Sequence, residues 1–568
     1  MRKKLKVTAA VASILAVSVV TMGLTHDKRE YEVIKGLDIF FALFRTVNTF
    51  YVDEFEPKTV LRNGIDAMLE SLDPYTNFID EKDMEDFKLM TTGEYGGVGA
   101  IISKSDTDYI MVRELYHGFP AYNAGLMPGD RIMEINGKDM RGKKVSDVSG
   151  SLRGTPGSDA KLKIWRPTTN ETFETVAKRQ AIQLNPVNYY GMIDKEIGYI
   201  ELSSFTQGCA QEVKKALVDL KSKGCKKLVL DLRANPGGIL DDAIDMVGLF
   251  VPKKSLVLTT RGRYASQTRY HYTTAEPIDT VMPITVLISR GSASASEIVT
   301  GALQDLDRAV VIGQRSFGKG LVQSTRPLEH NTYVKVTTAK YYIPSGRCIQ
   351  ALDYTHRDKD GAVGYVPDSL IHEFHTKGGR TVYDGGGVSP DIHVDIDTAT
   401  NIVYSLIYSD VIFHYAVAYR HNHKEIASVK DFVFTDEDYA DFCKFVATRK
   451  NFTYKNKTTE ALKKLVSAAK SDKYYEDNKQ LFEKLNKTLE PDLQKDLQTS
   501  KEEIKKYITS EILTSYYFRA GQIEFAITRD DDVDAALKVL RDEKRFYGIL
   551  SGKVASHAGD KRLSNSTK

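Results

Sequence analysis

The chain has 568 residues, which at about 150 residues per domain implies three or four folded units rather than one small module. Its composition, 42% hydrophobic and 27% charged, is that of an ordinary globular chain and excludes disorder, collagen-like repeats and a polytopic membrane protein. Lys plus Arg at 79 against Asp plus Glu at 76 leaves a formal charge of +3, too balanced for a protein whose main partner is nucleic acid phosphate.

Residues 1–29 open with Arg2, Lys3, Lys4 and Lys6 and continue in an uncharged apolar run from Val7 to Leu24. Basic residues followed by an apolar run are the order of an export signal. The run reaches the lower limit for crossing a bilayer, and no A-x-A site or lipid-accepting cysteine follows it, so a cleaved signal and a retained anchor both fit. Leu37, Phe40, Phe41 and Phe44, then Leu61, Ile65, Met68, Leu69 and Leu72, fall at helical spacing and predict two or three packed helices over residues 30–90.

From Thr92 the texture changes. TGEYGGVGAIIS is glycine-rich and then β-branched, and AGLMPGDRIMEING ends in a Pro-Gly-Asp turn, a strand and an Asn-Gly hairpin signal, the marks of a small β domain. With a helix bearing Val145, Val148 and Leu152, residues 91–168 resemble a PDZ domain. That resemblance implies a loop of Gly97, Val98, Gly99 and Ala100 whose N–H groups receive a terminal carboxylate, while the bound peptide adds a strand to the sheet edge. Read alone, these glycines make only a tight turn.

Residues 197–340 alternate strand and helix patterns and predict an α/β core, given the bounds 169–397. After the strand KKLVLDL comes RANPGG, where Gly237 and Gly238 can bare backbone N–H groups at a helix start, the geometry of an oxyanion site. PITVLISRGSASASEIVTGALQDL then places Ser292, Ser294 and Ser296 at a strand-to-helix elbow. Ser294 with Glu297 spells a capping box, the commoner use of such a serine, and the spacing does not choose among the three hydroxyls. A hydroxyl at a helix N-terminus nonetheless suits a nucleophile whose intermediate is anionic. GQRSFGKG, from Gly313 to Gly320, is one residue short of a phosphate-binding loop. Gly320 replaces the magnesium-holding hydroxyl, and the β-branched chain that follows is not a helix. The same missing helix weighs against Ser316 and Lys319 as an S-x-x-K pair. Cys209, Cys225, Cys348 and Cys443 lack any CxxC spacing, so neither a metal site nor a thiol redox motif is expected, and no cofactor is assigned.

The ordered set GYIELSSF, DLRANPGG, GSASASEIVTGALQD and FGKGLVQ, with PSGRCIQ and GGGVSPDI further on, resembles the C-terminal processing peptidases, tail-specific serine proteases with a Ser-Lys dyad, over about residues 35–400. The resemblance implies that Ser294 is the nucleophile, Lys319 the general base and Gln323 the group that positions the lysine. It implies an oxyanion hole of the Ala295 and Gly237 N–H groups, with Gly238 the near alternative to the latter. A base lysine must fall from a pKa near 10.4 to roughly 7 or 8, so burial without an acidic neighbour is expected around Lys319.

Beyond residue 398, Leu462, Leu465, Val466 and Ala469, then Leu481, Leu485 and Leu489, then Ile504, Tyr507, Ile508 and Ile512 predict an added helical region to residue 568, with a polar tail from Ser556. The fold class expected is therefore multidomain α/β: an α/β peptidase core with an inserted PDZ-like β domain, N-terminal helices and a C-terminal helical region. The function expected is an exported, ATP-independent serine endopeptidase of the bacterial envelope, periplasmic or anchored to the inner membrane. Its expected partners are protein or peptide substrates held by their C-termini and, for an oligomer, a second copy. The alternative class is a non-catalytic PDZ scaffold for exported proteins.

Overall fold

The structure is a computed structural model that describes residues 30–554 other than 397, 450, 451, 453, 455 and 456. The export-signal reading of residues 1–29 and the polar tail of 556–568 lie outside the described residues. The chain divides into two units, Met1–Phe78 and Ile79–Lys568.

In the first unit, helices run over residues 30–50 and Pro57–Glu70, the latter started by Pro57 with the Glu56 carboxylate accepting from Lys58 N–H. The helices expected here form, but their apolar stripes are only partly buried: Leu69 is buried, whereas Leu37, Phe40, Phe41 and Met68 are each more than half exposed. Helical spacing specifies an apolar face, while burial needs a surface for that face to meet.

In the second unit, the β domain is an antiparallel sheet in the order Ala100–Ser103, Ile110–Leu115, Arg131–Ile135, Asp159–Arg166, Glu171–Lys178. Its core is Val112, Ile132, Ile164 and Val148, the last from the helix Val145–Leu152. The boundary expected at residue 168 falls inside this sheet, because Glu171–Lys178 pairs along its whole length with Asp159–Arg166. Entry and exit are tied together as well: Glu94–Gly97 pairs antiparallel with Gln180–Gln183.

The peptidase core is a six-stranded sheet in the order Val187–Met192, Ile197–Leu202, Lys227–Asp231, Ile284–Ile288, Val310–Gly313, Ile392–His393. All neighbours are parallel except the first pair. The four inner strands are near-continuous apolar runs because both faces are covered. Ile200, Leu228, Leu230, Val286 and Val311 meet the helices Cys209–Ser222, Leu240–Gly248 and Ala295–Asp305. The alternate residues Tyr199, Val229, Leu287, Val310 and Ile312 meet Val533, Ala536, Val539 and Leu540 of Asp531–Arg541, and Phe546 and Ile549 of Glu543–Leu550. The C-terminal region is thus not wholly an addition: its last two helices supply the second covering layer of the core. The helices from Asn401–Tyr408 to Lys501–Ile527 close a core of their own around Val403, Phe442, Ile508 and Ile512, whereas Leu465 and Leu481 stay exposed.

Leu540→Ala, at a position that is 1% exposed, is expected to cost about 2–5 kcal/mol, measured as a lower urea midpoint at constant slope. Leu481→Ala, on an open helix face, is expected to stay within about 0.5 kcal/mol.

Candidate active site

Parallel strands end on one edge of the sheet, and loops following neighbouring strands meet there. Three such loops build the site: Leu232–Ile239, Ser289–Ser294 and Gln314–Gly320. The first two are laced together. Ser292 Oγ donates to Leu232 O at 2.7 Å, Ser296 Oγ to Asn235 O at 2.9 Å, and Ala293 N–H to Asn235 O at 3.0 Å. Ser292 and Ser296 are fully buried by these bonds. Ser316 is engaged too, donating to Glu297 Oε1 at 2.5 Å and accepting from Val388 N–H at 2.7 Å.

Ser294 differs from all three. It is part-exposed, its hydroxyl makes no cap hydrogen bond, and its backbone is held at φ 55°, ψ −113°, a conformation that a residue with a Cβ adopts only under constraint from its surroundings. Half of the expected capping box is present: Glu297 Oε2 accepts from Ser294 N–H at 2.8 Å, while Glu297 N–H goes to the Ser294 carbonyl at 2.8 Å.

Glu297 is the residue that sequence reasoning undervalued. Its Oε2 also accepts from Lys319 N–H at 2.8 Å, and its Oε1 accepts from Gly318 N–H at 2.6 Å and from the Ser316 hydroxyl. One carboxylate therefore joins the serine elbow to the lysine loop. Burial pushes the Glu297 carboxyl up, and the four donated bonds work against that shift. Three backbone N–H groups and one hydroxyl converge on its two oxygens. This corrects the expectation that Lys319 has no acidic neighbour: Glu297 touches its backbone, with its oxygens directed into four hydrogen bonds.

Lys319 is part-buried in a turn secured on its other side by Gly320 N–H on Gln350 Oε1 at 2.7 Å and Ala351 N–H on Gly318 O at 2.9 Å. The PSGRCIQ stretch thus has a physical role. A strand, Leu321–Pro327, follows the turn, where a phosphate-binding loop needs a helix. Gln323 lies on that strand and its amide donates to Thr337 Oγ1 at 3.1 Å across the hairpin. Tyr341 on the partner strand is buried beneath the elbow, its hydroxyl 3.3 Å from Ser294 O, and burial pushes that phenol up.

The oxyanion assignment needs a correction. Gly237 N–H donates to Asn235 Oδ1 at 2.9 Å, and Asn235, fully buried, is itself anchored to Leu202 O at 2.8 Å. Gly237 is required for space, since a Cβ there would lie 2.7 Å from Ser294 Cβ. Gly238 pairs with Phe205 through the flanking Gly237 O and Ile239 N–H, which turns its own N–H the other way, with no acceptor among the described residues. Ala295, first residue of its helix, has an N–H with no intrahelical acceptor.

In the β domain, Val98, Gly99 and Ala100 line a groove of about 180 Å³ with Ile102, Leu152 and Arg153. Gly97 does not line it, since it is paired to Gln180 in the neck ladder. Among the described residues no His, Cys, Asp and Glu group is arranged to hold a metal.

The chain matches the family described as Peptidase family S41 over residues 196–356, a PDZ domain over 111–166, and the C-terminal helical domain of a probable PDZ-protease over 402–540. It is 36% identical over 376 residues to a carboxy-terminal-processing protease of Bartonella bacilliformis, covering 66% of this chain and 83% of that one. The chain belongs to the carboxy-terminal-processing proteases. A probable CtpA-like serine protease of Staphylococcus aureus is 33% identical, over 54% of this chain and 61% of its own. Among solved structures, the photosystem II D1 C-terminal processing protease is similar over 63% of this chain and 92% of its own, at 26% identity and a TM-score of 0.34. The protease is thus a serine-type enzyme with an S41 core, a PDZ domain and a C-terminal helical domain.

Glu297→Gln places an NH₂ donor against two of the four donors, which is expected to destabilise by about 1–3 kcal/mol and to lower peptide cleavage at least about 100-fold. Ser316→Ala is expected to cost similar stability yet keep substantial cleavage. Melting curves and kcat/KM on one peptide compare the two.

Proposed function

We propose that this protease is an endopeptidase that cleaves exported proteins through a Ser294–Lys319 dyad without nucleotide, and that its PDZ domain captures the substrate C-terminus. One observation carries the reading: Ser294 is the constrained serine with an unengaged hydroxyl, and its N–H shares a carboxylate oxygen with Lys319 N–H.

In this reading Lys319 Nζ, as a neutral amine, takes the Ser294 proton as Oγ bonds to the scissile carbonyl carbon. The proton passes to the departing amine, leaving an acyl-serine that water cleaves with Lys319 again as base. Negative charge on the tetrahedral oxygen is met by Ala295 N–H and Gly238 N–H. Gln323 orients the lysine from its place against Thr337. The Val98–Ala100 loop takes the terminal carboxylate of a peptide laid against strand Ala100–Ser103.

The apolar run Val7–Leu24 supports export to a bacterial envelope, with retention at the inner membrane when it is not cleaved. A second copy is the cover we assign to the apolar face of residues 30–50. Sedimentation of Phe41→Glu against the parent checks that pairing.

Ser294→Ala and Lys319→Ala are each expected to lower peptide cleavage by about 1,000-fold or more with unchanged circular dichroism, and Ser294→Ala to abolish fluorophosphonate labelling. ATP with magnesium should neither bind in calorimetry nor speed cleavage. A chain that takes no label and cuts no peptide is a scaffold. Replacing residues 98–179 by a short Gly-Ser linker, with the paired neck strands retained, is expected to abolish preference for a free C-terminal carboxylate over an amide while a short peptide is still cut, as competition between the two substrates measures.

A further inference from the structure

The C-terminal helical domain has no part in the proposed chemistry, yet it meets the PDZ domain along one continuous face. Arg113, on the PDZ strand Ile110–Leu115, reaches Asp410 at 2.5 Å and Glu511 at 3.4 Å, with its guanidinium 4.0 Å over the Phe413 ring. Asp410 is the N-cap of helix Val411–Asn422 and Glu511 lies on Lys501–Ile527, so one arginine fastens two helices of that domain. Gly129, in the PDZ Pro-Gly-Asp turn, comes so near helix Val411–Asn422 that a Cβ there would sit 2.9 Å from Val417 Cγ1. His117 and Tyr122 flank Phe518, with ring centroids 5.4 and 6.0 Å away.

Phe518 is also where helix Lys501–Ile527 breaks, at φ 59°, ψ −164°, a conformation almost confined to glycine and kept by a phenylalanine only where surrounding contacts impose it. The next residue, Arg519, turns to Glu201 of the core sheet at 3.5 Å. Just past the same helix, Asp530 and Asp532 hold Arg233 at 2.8 and 2.9 Å, at the foot of the turn that carries Gly237 and Gly238. A single helix therefore touches the PDZ domain on one side of its break and the catalytic sheet on the other.

We infer that the C-terminal helical domain is a clamp that sets the position of the PDZ domain relative to the peptidase core, with Arg113 as its fastening and the break at Phe518 as its joint. A PDZ domain held at one distance from Ser294 gives a captured tail a defined reach, and a loosened one lowers the effective concentration of that tail at the serine. The consequence for activity rests on the proposed capture of C-termini; the mechanical part does not.

The test uses Arg113→Met, which removes the guanidinium from Asp410, Glu511 and Phe413 but keeps an apolar side chain of similar length, and Val417→Arg, which opens the same face where it meets Gly129, both in the full chain. Hydrogen exchange in 110–115 and 411–422 is expected to speed about tenfold in each variant relative to the rest of the chain. A free C-terminal peptide should bind with unchanged affinity. The kcat/KM for a protein with a free C-terminus should fall about fivefold or more, while that for a short amidated peptide stays within about twofold. Unchanged exchange in both segments overturns the clamp, and so does an equal fall on both substrates, which places the effect in the catalytic centre. A parent enzyme indifferent to a free carboxylate counts against C-terminal capture, whereas the exchange result still decides the clamp.

Discussion

A single buried carboxylate holds the catalytic edge together. Glu297 sits on the first turn of helix Ala295–Asp305 and takes one hydrogen bond from the serine elbow and three from the lysine loop. A carboxyl group so far from water is tolerated only when its oxygens are hydrogen-bonded, so Glu297 constrains the course of both loops. With Ser294 N–H and Lys319 N–H on one oxygen, the two backbones stand no further apart than two hydrogen-bond lengths.

The same economy appears in the turn on the other side of Ser294. Asn235 spends its amide on Leu202 O and its oxygen on Gly237 N–H, while its carbonyl receives Ser296 and Ala293. Polar groups that a spacing rule treats as chemical candidates are here structural ties, and among the described residues the Ser294 hydroxyl and the N–H groups of Ala295 and Gly238 are left outside those ties. Ser292, Ser296 and Ser316 are buried and paired, as buried polar groups nearly always are, so the part-exposed Ser294, whose hydroxyl caps nothing at the mouth of the turn, stands apart in a way that three serines in a row do not show.

Around this edge the domains are arranged by where apolar faces find cover. The parallel sheet exposes two apolar faces and needs two helical layers. One comes from the segments between its strands and the other from Asp531–Arg541 and Glu543–Leu550, more than a hundred residues past its last strand. The chain must therefore pass through the C-terminal helical domain before the core is complete, which brings that domain against both the core and the PDZ insert.

The sequence by itself determined the order and kind of elements, because local spacing encodes them: alternate strand and helix patterns for the core and turn chemistry for the PDZ sheet; the roles of Ser294, Lys319 and Gln323 came from the family resemblance, as expectations. Spacing alone left three serines and two glycines open, and the family resemblance chose Ser294 and Gly237 among them. The tertiary structure alone showed that Ser292, Ser296 and Ser316 are bonded away, that Gly237 N–H is taken by Asn235, and that Glu297 serves two loops. It also showed that the last two helices belong to the core sheet while the stripe at Leu37, Phe40 and Phe41 lies open. The reason is physical: periodicity along a chain reports which face of an element is apolar, whereas the partner of that face, and the partner of each buried donor, is fixed only when segments distant in sequence come together.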